Sequence, residues 1–220
     1  MHQLRVEKKL GQKSRLIGAK ILLGSSRMFI AIEGCIGAGK TITAQLCAQR
    51  LGYEVLLERT EGHPFLHDFY ADPARYAIET ELAFVLIHYH QLHAAESSNR
   101  LIADFSPAKD LLFAEMNLSD RDRALFNRVY SDLVGRIEMP DFAIFLRLPI
   151  DELIRRIKER GRAYEMYMPR PYLEKLNTTY ETRMDLLGDR VHILNLTGRE
   201  SREDVVEQVL ATLKHHLDGS

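Results

Sequence analysis

Residues 34–41 read GCIGAGKT and fit the pattern G-x-x-x-x-G-K-[ST] in full. Glycines at this spacing let backbone N–H groups turn inward around phosphate oxygens, and a following helix start adds partial positive charge. Gly34, Cys35, Ile36, Gly37, Ala38 and Gly39 are therefore expected to cradle phosphate. Lys40 would reach the β- and γ-phosphates, and the Thr41 hydroxyl would ligate Mg²⁺. Cys35 reads as filler, not as a catalytic thiol. The flanks match too: an apolar strand-like run precedes the loop and a helical pattern follows it, which a chance glycine-rich turn would lack.

The loop alone does not name a reaction. The chain has no N-K-x-D guanine signature and no L-S-G-G-Q transporter signature. One such loop and a basic helix end, in a chain this small, point to small-molecule phosphoryl transfer. That chemistry needs an acceptor base, an acid supporting Mg²⁺, and cations near the moving phosphoryl group.

Candidates stand at predicted strand ends, where ligands of open α/β sheets bind. Glu58 closes EVLLE; a carboxylate there can take a proton from an attacking hydroxyl, although a surface glutamate reads the same. Asp104 closes RLIAD and can hold Mg²⁺ through water, or cap the helix ahead of Pro107. Arg156 and Arg160 are spaced i, i+4, and Arg162 follows just past Gly161. Three converging guanidiniums repel unless an anion is present, which fits a lid over a triphosphate. The plainer reading is a solvated basic helix end favoured by the helix dipole. The run HYHQLH has the composition of a metal site. On a helix, however, His88 and His90 point apart, and only His90 and His93 share a face, which is a poor zinc site.

These residues need a scaffold. Short apolar runs predict strands over 28–33, 54–58, 100–104, 141–148 and 191–196. Helical spacing predicts helices over 40–52, 74–96, 107–117, 120–137, 150–161, 172–188 and 201–217. Pro73 and Pro107 suit first turns, and Ser119 suits an N-cap. Ile78, Leu82, Val85 and Leu86 are expected on one buried face of the longest helix. Strands alternating with helices imply an α/β fold: a five-stranded parallel sheet with helices on both faces.

The 220 residues suffice for one domain with a full core. With 45% apolar and 28% charged residues and a net charge of -1, no global field points to a nucleic-acid polymer or a membrane surface. No apolar run is long enough to span a bilayer. Two scattered cysteines suit a reducing cytoplasm. Residues 1–27 are basic and poor in acids, as a transit peptide would be. They read better as an N-terminal extension outside the core, because a clean strand starts at Met28. The domain is expected over 28–220.

Several ordered segments resemble the deoxynucleoside kinase family: IEGCIGAGKT, Glu58 after the second strand, FYADPARYA, DFSPAKD, and RIKERGRAYE followed by YLEKL. Together they span nearly everything from Met28 onward. The resemblance implies the P-loop kinase fold with an Arg-rich lid, ATP and Mg²⁺ as cofactors, a deoxynucleoside substrate and a homodimer. By position it implies that Glu58 is the general base on the 5′-hydroxyl. It implies that Tyr70 and Glu165 hold the sugar 3′-hydroxyl, and that Glu81, His88 and Asp110 occupy the base-reading positions. Asp104 would support Mg²⁺, and Arg156, Arg160 and Arg162 would lie near the ATP base and phosphates. The lid and ADPARYA segments look closest to kinases of purine deoxynucleosides.

Three positions depart from the family pattern. Phe105 stands where an arginine belongs beside the catalytic carboxylate; Lys109, about one turn onward, is the candidate substitute. Glu81 replaces a base-reading glutamine, and His88 replaces a base-reading arginine. An ionised glutamate only accepts hydrogen bonds, whereas glutamine donates and accepts, so base preference should shift. The expected activity is phosphorylation of a deoxynucleoside 5′-hydroxyl. Alternatives are a thymidylate-kinase-like nucleotide kinase and a nucleotide-binding module without turnover, for which Phe105 is the best argument.

Overall fold

The computed structural model describes residues 27–162, 165, 168–183, 187, 188 and 190–218. The extension expected over 1–27 lies, but for Arg27, outside the described residues. Five strands form one parallel sheet: β1 Met28–Gly34, β2 Glu54–Leu56, β3 Arg100–Ala103, β4 Phe142–Arg147 and β5 Val191–Asn195, in the order β2-β3-β1-β4-β5. Central β1 pairs with β3 (Ile30 opposite Ile102) and with β4 (Ile32 opposite Ile144). Because all pairs are parallel, the carboxyl ends of the strands open on one side, and the loops after β1, β2 and β3 share it.

Alternation along the strands divides the core in two. Ile30, Ile32, Ile102 and Ile144 face one layer, built on α1 Lys40–Leu51 and α8 Arg202–Asp218. Phe29, Ala31, Leu101, Ala103 and Ala143 face the other. That second layer holds α2 Leu66–Ala71, α3 Pro73–Ala94 and α5 Asp120–Val134. Strands covered on both faces read as continuous apolar runs, as these do. Two further helices, α4 Pro107–Asn117 and α7 Arg170–Arg183, pack on each other and add Leu112, Met116, Leu176 and Tyr180 to the first layer. The last helix, α6 Ile150–Arg160, follows β4 directly.

Capping fixes where the site-bearing helices begin. The Asp72 side chain accepts from Arg75 N–H at 3.3 Å, and Pro73 opens α3. Pro107 opens α4, and its carbonyl accepts the buried Tyr130 hydroxyl at 2.7 Å, pinning α4 to α5. Gly161 ends α6 in the left-handed region at φ 66°.

Three expectations change. The strand expected to 58 stops at Leu56, so Glu58 lies two residues past β2, on irregular backbone. Leu86 leaves the expected apolar face of α3 and is 54% exposed, whereas Val85 is buried. The short helix α2, which bears Tyr70, had no pattern long enough to announce it. No helix among the described residues is long and apolar enough to cross a membrane.

Candidate functional site

The phosphate loop leaves β1 and enters α1, as its flanks predicted. Gly37 has φ 88°, and a Cβ there would lie 2.9 Å from the Leu153 carbonyl oxygen of α6, so only glycine fits. Lys40 Nζ donates to the carbonyls of Gly34 at 2.9 Å and Cys35 at 3.1 Å, which folds its ammonium back over the loop. The Cys35 side chain is buried in the core beneath, where burial pushes the thiol up to about 11. Such a thiol is inert, in keeping with the filler reading.

Asp104 ties the loops together. Its Oδ2 accepts the Thr41 hydroxyl at 2.6 Å, and its Oδ1 accepts the backbone N–H of Glu58 at 2.7 Å. The hydrogen bond from Glu58 explains how a residue beyond the strand is held in place. Thr41 and Asp104 thus offer hard oxygen donors together beside the phosphate cradle, as Mg²⁺ requires. Among the described residues no group of three His, Cys, Asp or Glu side chains forms a metal cluster. Mg²⁺ does not need one when phosphates supply its other ligands.

Behind the loop lies a cavity of about 100 Å³, partly open to solvent. Tyr70, Glu81, His88, Asp110 and Glu165 line it, together with Glu58 and Asp104. A second, wider cleft runs along the outside of the loop, lined by Gly37, Ala38, Gly39 and Arg156. Lys40, Thr41, Arg160 and Arg162 line both. Gly34 and Cys35 line neither; their part is to receive Lys40 through their carbonyls.

Glu58 sits in a buried charge network. Its Oε1 accepts from Lys109 Nζ and pairs with His88 Nε2 at 3.1 Å, while His88 Nδ1 pairs with Asp110 Oδ1 at 2.7 Å. Burial opposes the charge on Glu58. The Lys109 ammonium and His88 more than offset it, and the carboxyl is held well below the usual carboxylate range. Burial likewise opposes an imidazolium, but Asp110 and Glu58 outweigh it and raise His88 to about 9. His88 is therefore a cation at neutral pH, donating from both nitrogens. Phe105 is fully buried and stacks on it, with centroids 4.5 Å apart. Two cations, Lys109 from α4 and His88 from α3, thus stand at Glu58, where Phe105 brings none.

Two more carboxyls are pushed upward. Burial raises Glu81 to about 8; it is 2% exposed, and its Oε1 accepts from Asn117 Nδ2 at 2.8 Å. Burial also raises Glu33, at the end of β1, to about 7, against the pull of Lys109 and Lys40. Lys40 itself is lowered by burial first and by Lys109 second. Two ammoniums held near each other attract a polyanion.

The lid arginines are not waiting for an anion. Arg160 Nε donates to Glu165 Oε2 at 3.1 Å, and Arg162 lies 3.5 Å from Glu165 Oε1. Arg156 Nε donates to Glu152 at 2.6 Å. The expected mutual repulsion is relieved by protein carboxylates, with Glu165 buried and both of its arginines partly exposed. Four residues of the RAYEMY stretch, 163, 164, 166 and 167, lie outside the described residues.

Sequence reasoning missed several residues that line the cavity or touch its carboxyls: Thr80, Phe84, Phe113, Asn117 and Tyr172. Phe84 had a signal, since it stands three residues after Glu81 and four before His88 on one helix face. Tyr172 opens the YLEKL segment but its part in the site was not legible, and Asn117 had no signal, because their nearness to Glu81 depends on how α4 and α7 pack.

A phosphate loop, a hydroxyl and acid beside it, and two cavities meeting at one lysine define a P-loop phosphotransferase acting on a small acceptor. A family model described as deoxynucleoside kinase matches residues 30–218, and the chain belongs to that family. It is 34% identical to a deoxyguanosine kinase of Bacillus subtilis over 166 residues, 73% of this chain and 80% of that one. It is 27% identical to a deoxyadenosine/deoxycytidine kinase of the same organism over 203 residues, 84% of this chain and 92% of the other. A solved structure of deoxyadenosine kinase from M. mycoides with bound dATP superposes with a TM-score of 0.76 at 25% identity, covering 86% of this chain and all of that one. The chain is accordingly a phosphotransferase with an alcohol acceptor. It moves a phosphoryl group from a nucleoside triphosphate to the 5′-hydroxyl of a deoxynucleoside.

Proposed function

We propose that the chain, over residues 28–220, is an ATP- and Mg²⁺-dependent kinase of purine deoxynucleosides. The observation that carries this reading is the sharing of Lys40, Thr41, Arg160 and Arg162 by the outer cleft and the inner cavity. A phosphoryl group leaving ATP in the cleft would reach an acceptor in the cavity at that junction.

The residues divide the work. Backbone N–H groups of the loop and Lys40 hold the triphosphate, with Arg156 on its outer side. Thr41 and Asp104 would hold Mg²⁺, which would supply neutralisation of phosphate charge. Glu58 accepts the hydrogen bond, and then the proton, of the 5′-hydroxyl. A loose phosphoryl transition state asks the protein mainly for positioning and charge, so a carboxylate kept ionised by Lys109 and His88 suffices. Arg160 and Arg162 exchange Glu165 for phosphate oxygens as the triphosphate arrives. Glu165 and Tyr70 then face the sugar 3′-hydroxyl. Asp110 and His88 hold each other, and Glu81 faces the base. Lys109 supplies the cation that Phe105 cannot, which removes the main support for a module without turnover. The buried free thiols Cys35 and Cys47 suit the cytoplasm. A homodimer is the expected assembly.

Incubation with ATP, Mg²⁺ and a panel of nucleosides and dTMP tests the reading. We expect 5′-monophosphates from deoxyguanosine and deoxyadenosine faster than from pyrimidine deoxynucleosides, and loss of turnover in Glu58→Gln with ATP binding retained. No monophosphate from any deoxynucleoside would overturn it.

A further inference from the structure

Two residues of the run HYHQLH on α3, His88 and Gln91, stand one turn apart and share a face. Both are buried, and both turn to Glu58. His88 holds its carboxylate. Gln91 holds its backbone. The Gln91 Nε2 donates to the Leu57 carbonyl at 2.7 Å, and its Oε1 accepts from the Arg59 N–H at 3.3 Å. A carbonyl only accepts and an N–H only donates, so these two partners fix which way the amide points.

These bonds continue a pattern begun by the sheet. β2 is an edge strand, paired on one side with β3. On that side Asp104 N–H donates to the Leu56 carbonyl at 3.2 Å, and Asp104 Oδ1 takes the Glu58 N–H at 2.7 Å. The Leu57 carbonyl and the Arg59 N–H turn instead to α3. There the Gln91 amide meets them as a residue of a parallel neighbouring strand would, with a donor to one residue and an acceptor for the residue two further on.

The consequence is geometric. The peptide group between Leu57 and Glu58 is held at both ends, its oxygen by Gln91 and its N–H by Asp104. The next peptide group, between Glu58 and Arg59, is held at its N–H by Gln91. Each peptide group is planar, so fixing the two planes that meet at the Glu58 Cα fixes both of its backbone dihedrals. Asp104 holds only the first of the two planes.

We infer that Gln91 is a positioning residue for phosphoryl transfer: its amide sets the backbone of Glu58 and thereby aims the carboxylate at the acceptor hydroxyl. The inference rests on the reading of Glu58 as general base and deepens it. Lys109 and His88 hold the tip of the Glu58 side chain, and Gln91 and Asp104 hold its root. Both grips matter, because a displacement of about 1 Å at a reacting atom costs about 100-fold in rate. An ionised glutamate at position 91 could not donate to Leu57, and a methionine could do neither.

The test is a double-mutant cycle in kcat over wild type, Gln91→Met, Glu58→Gln and the double variant, followed with radiolabelled ATP so that slow residual turnover is read. We expect Gln91→Met to lower kcat by about 30-fold, with KM for ATP and for the deoxynucleoside changed by less than about threefold. In the Glu58→Gln background the same substitution should cost less than about threefold, since no base is left to aim. Hydrogen exchange reads the backbone itself. The Arg59 amide should be protected in wild type and exposed in Gln91→Met, while the Glu58 amide, held by Asp104, stays protected in both. Should Gln91→Met not fold, Gln91→Glu takes its place in the cycle, because an ionised carboxylate keeps the bond from Arg59 and loses the one to Leu57. Unchanged kcat in the Gln91 variant, a loss carried by KM, an equal loss in both backgrounds, or a freely exchanging Arg59 amide in wild type overturns the inference and leaves the kinase reading intact. A Glu58→Gln enzyme as fast as wild type overturns the reading of Glu58, and the inference with it. Absence of phosphorylation of any deoxynucleoside by wild type overturns the kinase reading itself.

Discussion

The imidazole of His88 lies on the ring of Phe105, with centroids 4.5 Å apart and planes inclined by 27°. Two of the three positions expected to depart from the family pattern are therefore neighbours. Phenylalanine removes a cation from beside Glu58, and the histidine stacked on it returns one through Nε2 at 3.1 Å. A cation on an aromatic face gains further from the ring quadrupole. Phe105, His88 and Lys109 thus form one contiguous group around Glu58.

Lys109 should be needed for turnover. In Lys109→Met the buried Glu58 keeps only His88 as a partner. We expect kcat to fall by about 100-fold or more, with Lys109→Arg recovering part of it. Stripping one partner from a buried ion pair costs about 3–5 kcal/mol, so thermal unfolding should shift down in the Met variant. Steady-state kinetics with a melting curve on the same preparation checks both; unchanged kcat would remove Lys109 from the site.

Restoring the family arginine should harm this chain. Phe105 is fully buried in the layer formed by α3 and α5. In Phe105→Arg a third cation enters beside Lys109 and His88 and loses an apolar contact. A destabilisation above about 3 kcal/mol is expected from denaturant unfolding. Activity should not rise. A stable, faster Phe105→Arg would show that Lys109 and His88 are not the replacements.

Stability should peak in mildly acidic solution. Glu33 and Glu81 are lifted from 4.5 to about 7 and about 8, and His88 from 6.5 to about 9. Each holds a proton in the folded chain that the unfolded chain has released. Their contributions are full below those ordinary values and drain away as pH rises through about 7, 8 and 9. Glu58 works the other way: held low, it stabilises above 4.5 and loses its contribution in acid. The melting temperature should be highest near pH 4.5, where Glu58 is ionised and the other three still contribute in full, and fall by about 5 °C or more by pH 9. His88→Asn should flatten the upper part of that curve.

The lid should couple sugar to triphosphate through Glu165. Its carboxylate holds Arg160 and Arg162 before ligands arrive. Wild type should prefer a deoxynucleoside over its 2′,3′-dideoxy analogue by about tenfold or more, and Glu165→Ala should erase the difference. Arg160→Ala should lower kcat by about 100-fold with a smaller change in nucleoside KM. Equal discrimination in wild type and Glu165→Ala would separate Glu165 from the sugar.

Much of this protein was legible in residue order alone. Local physics shapes the phosphate loop, since its glycines must turn within eight residues between a strand and a helix. The order of strands and helices, the caps at Asp72, Ser119 and Gly161, and the arginines along α6 also depend on near neighbours in the chain. The resemblance to the family then named Glu58, Asp104, Glu81, His88 and Asp110 one by one. Sequence went wrong where packing overrides pattern. Leu86 has the right period but faces solvent, and Glu58 leaves the sheet to reach the side chain of Asp104.

What only the tertiary structure decided is how charges are shared. No spacing rule brings Lys109 of α4 and His88 of α3 onto one oxygen of Glu58, or Asn117 onto Glu81. These contacts join residues 22 to 51 positions apart, and their strength comes from burial in a low-dielectric layer. Burial is a property of the packed chain. Residue order supplied the ionisable groups of the site; the packing of α3 against α4 determined which of them hold their protons.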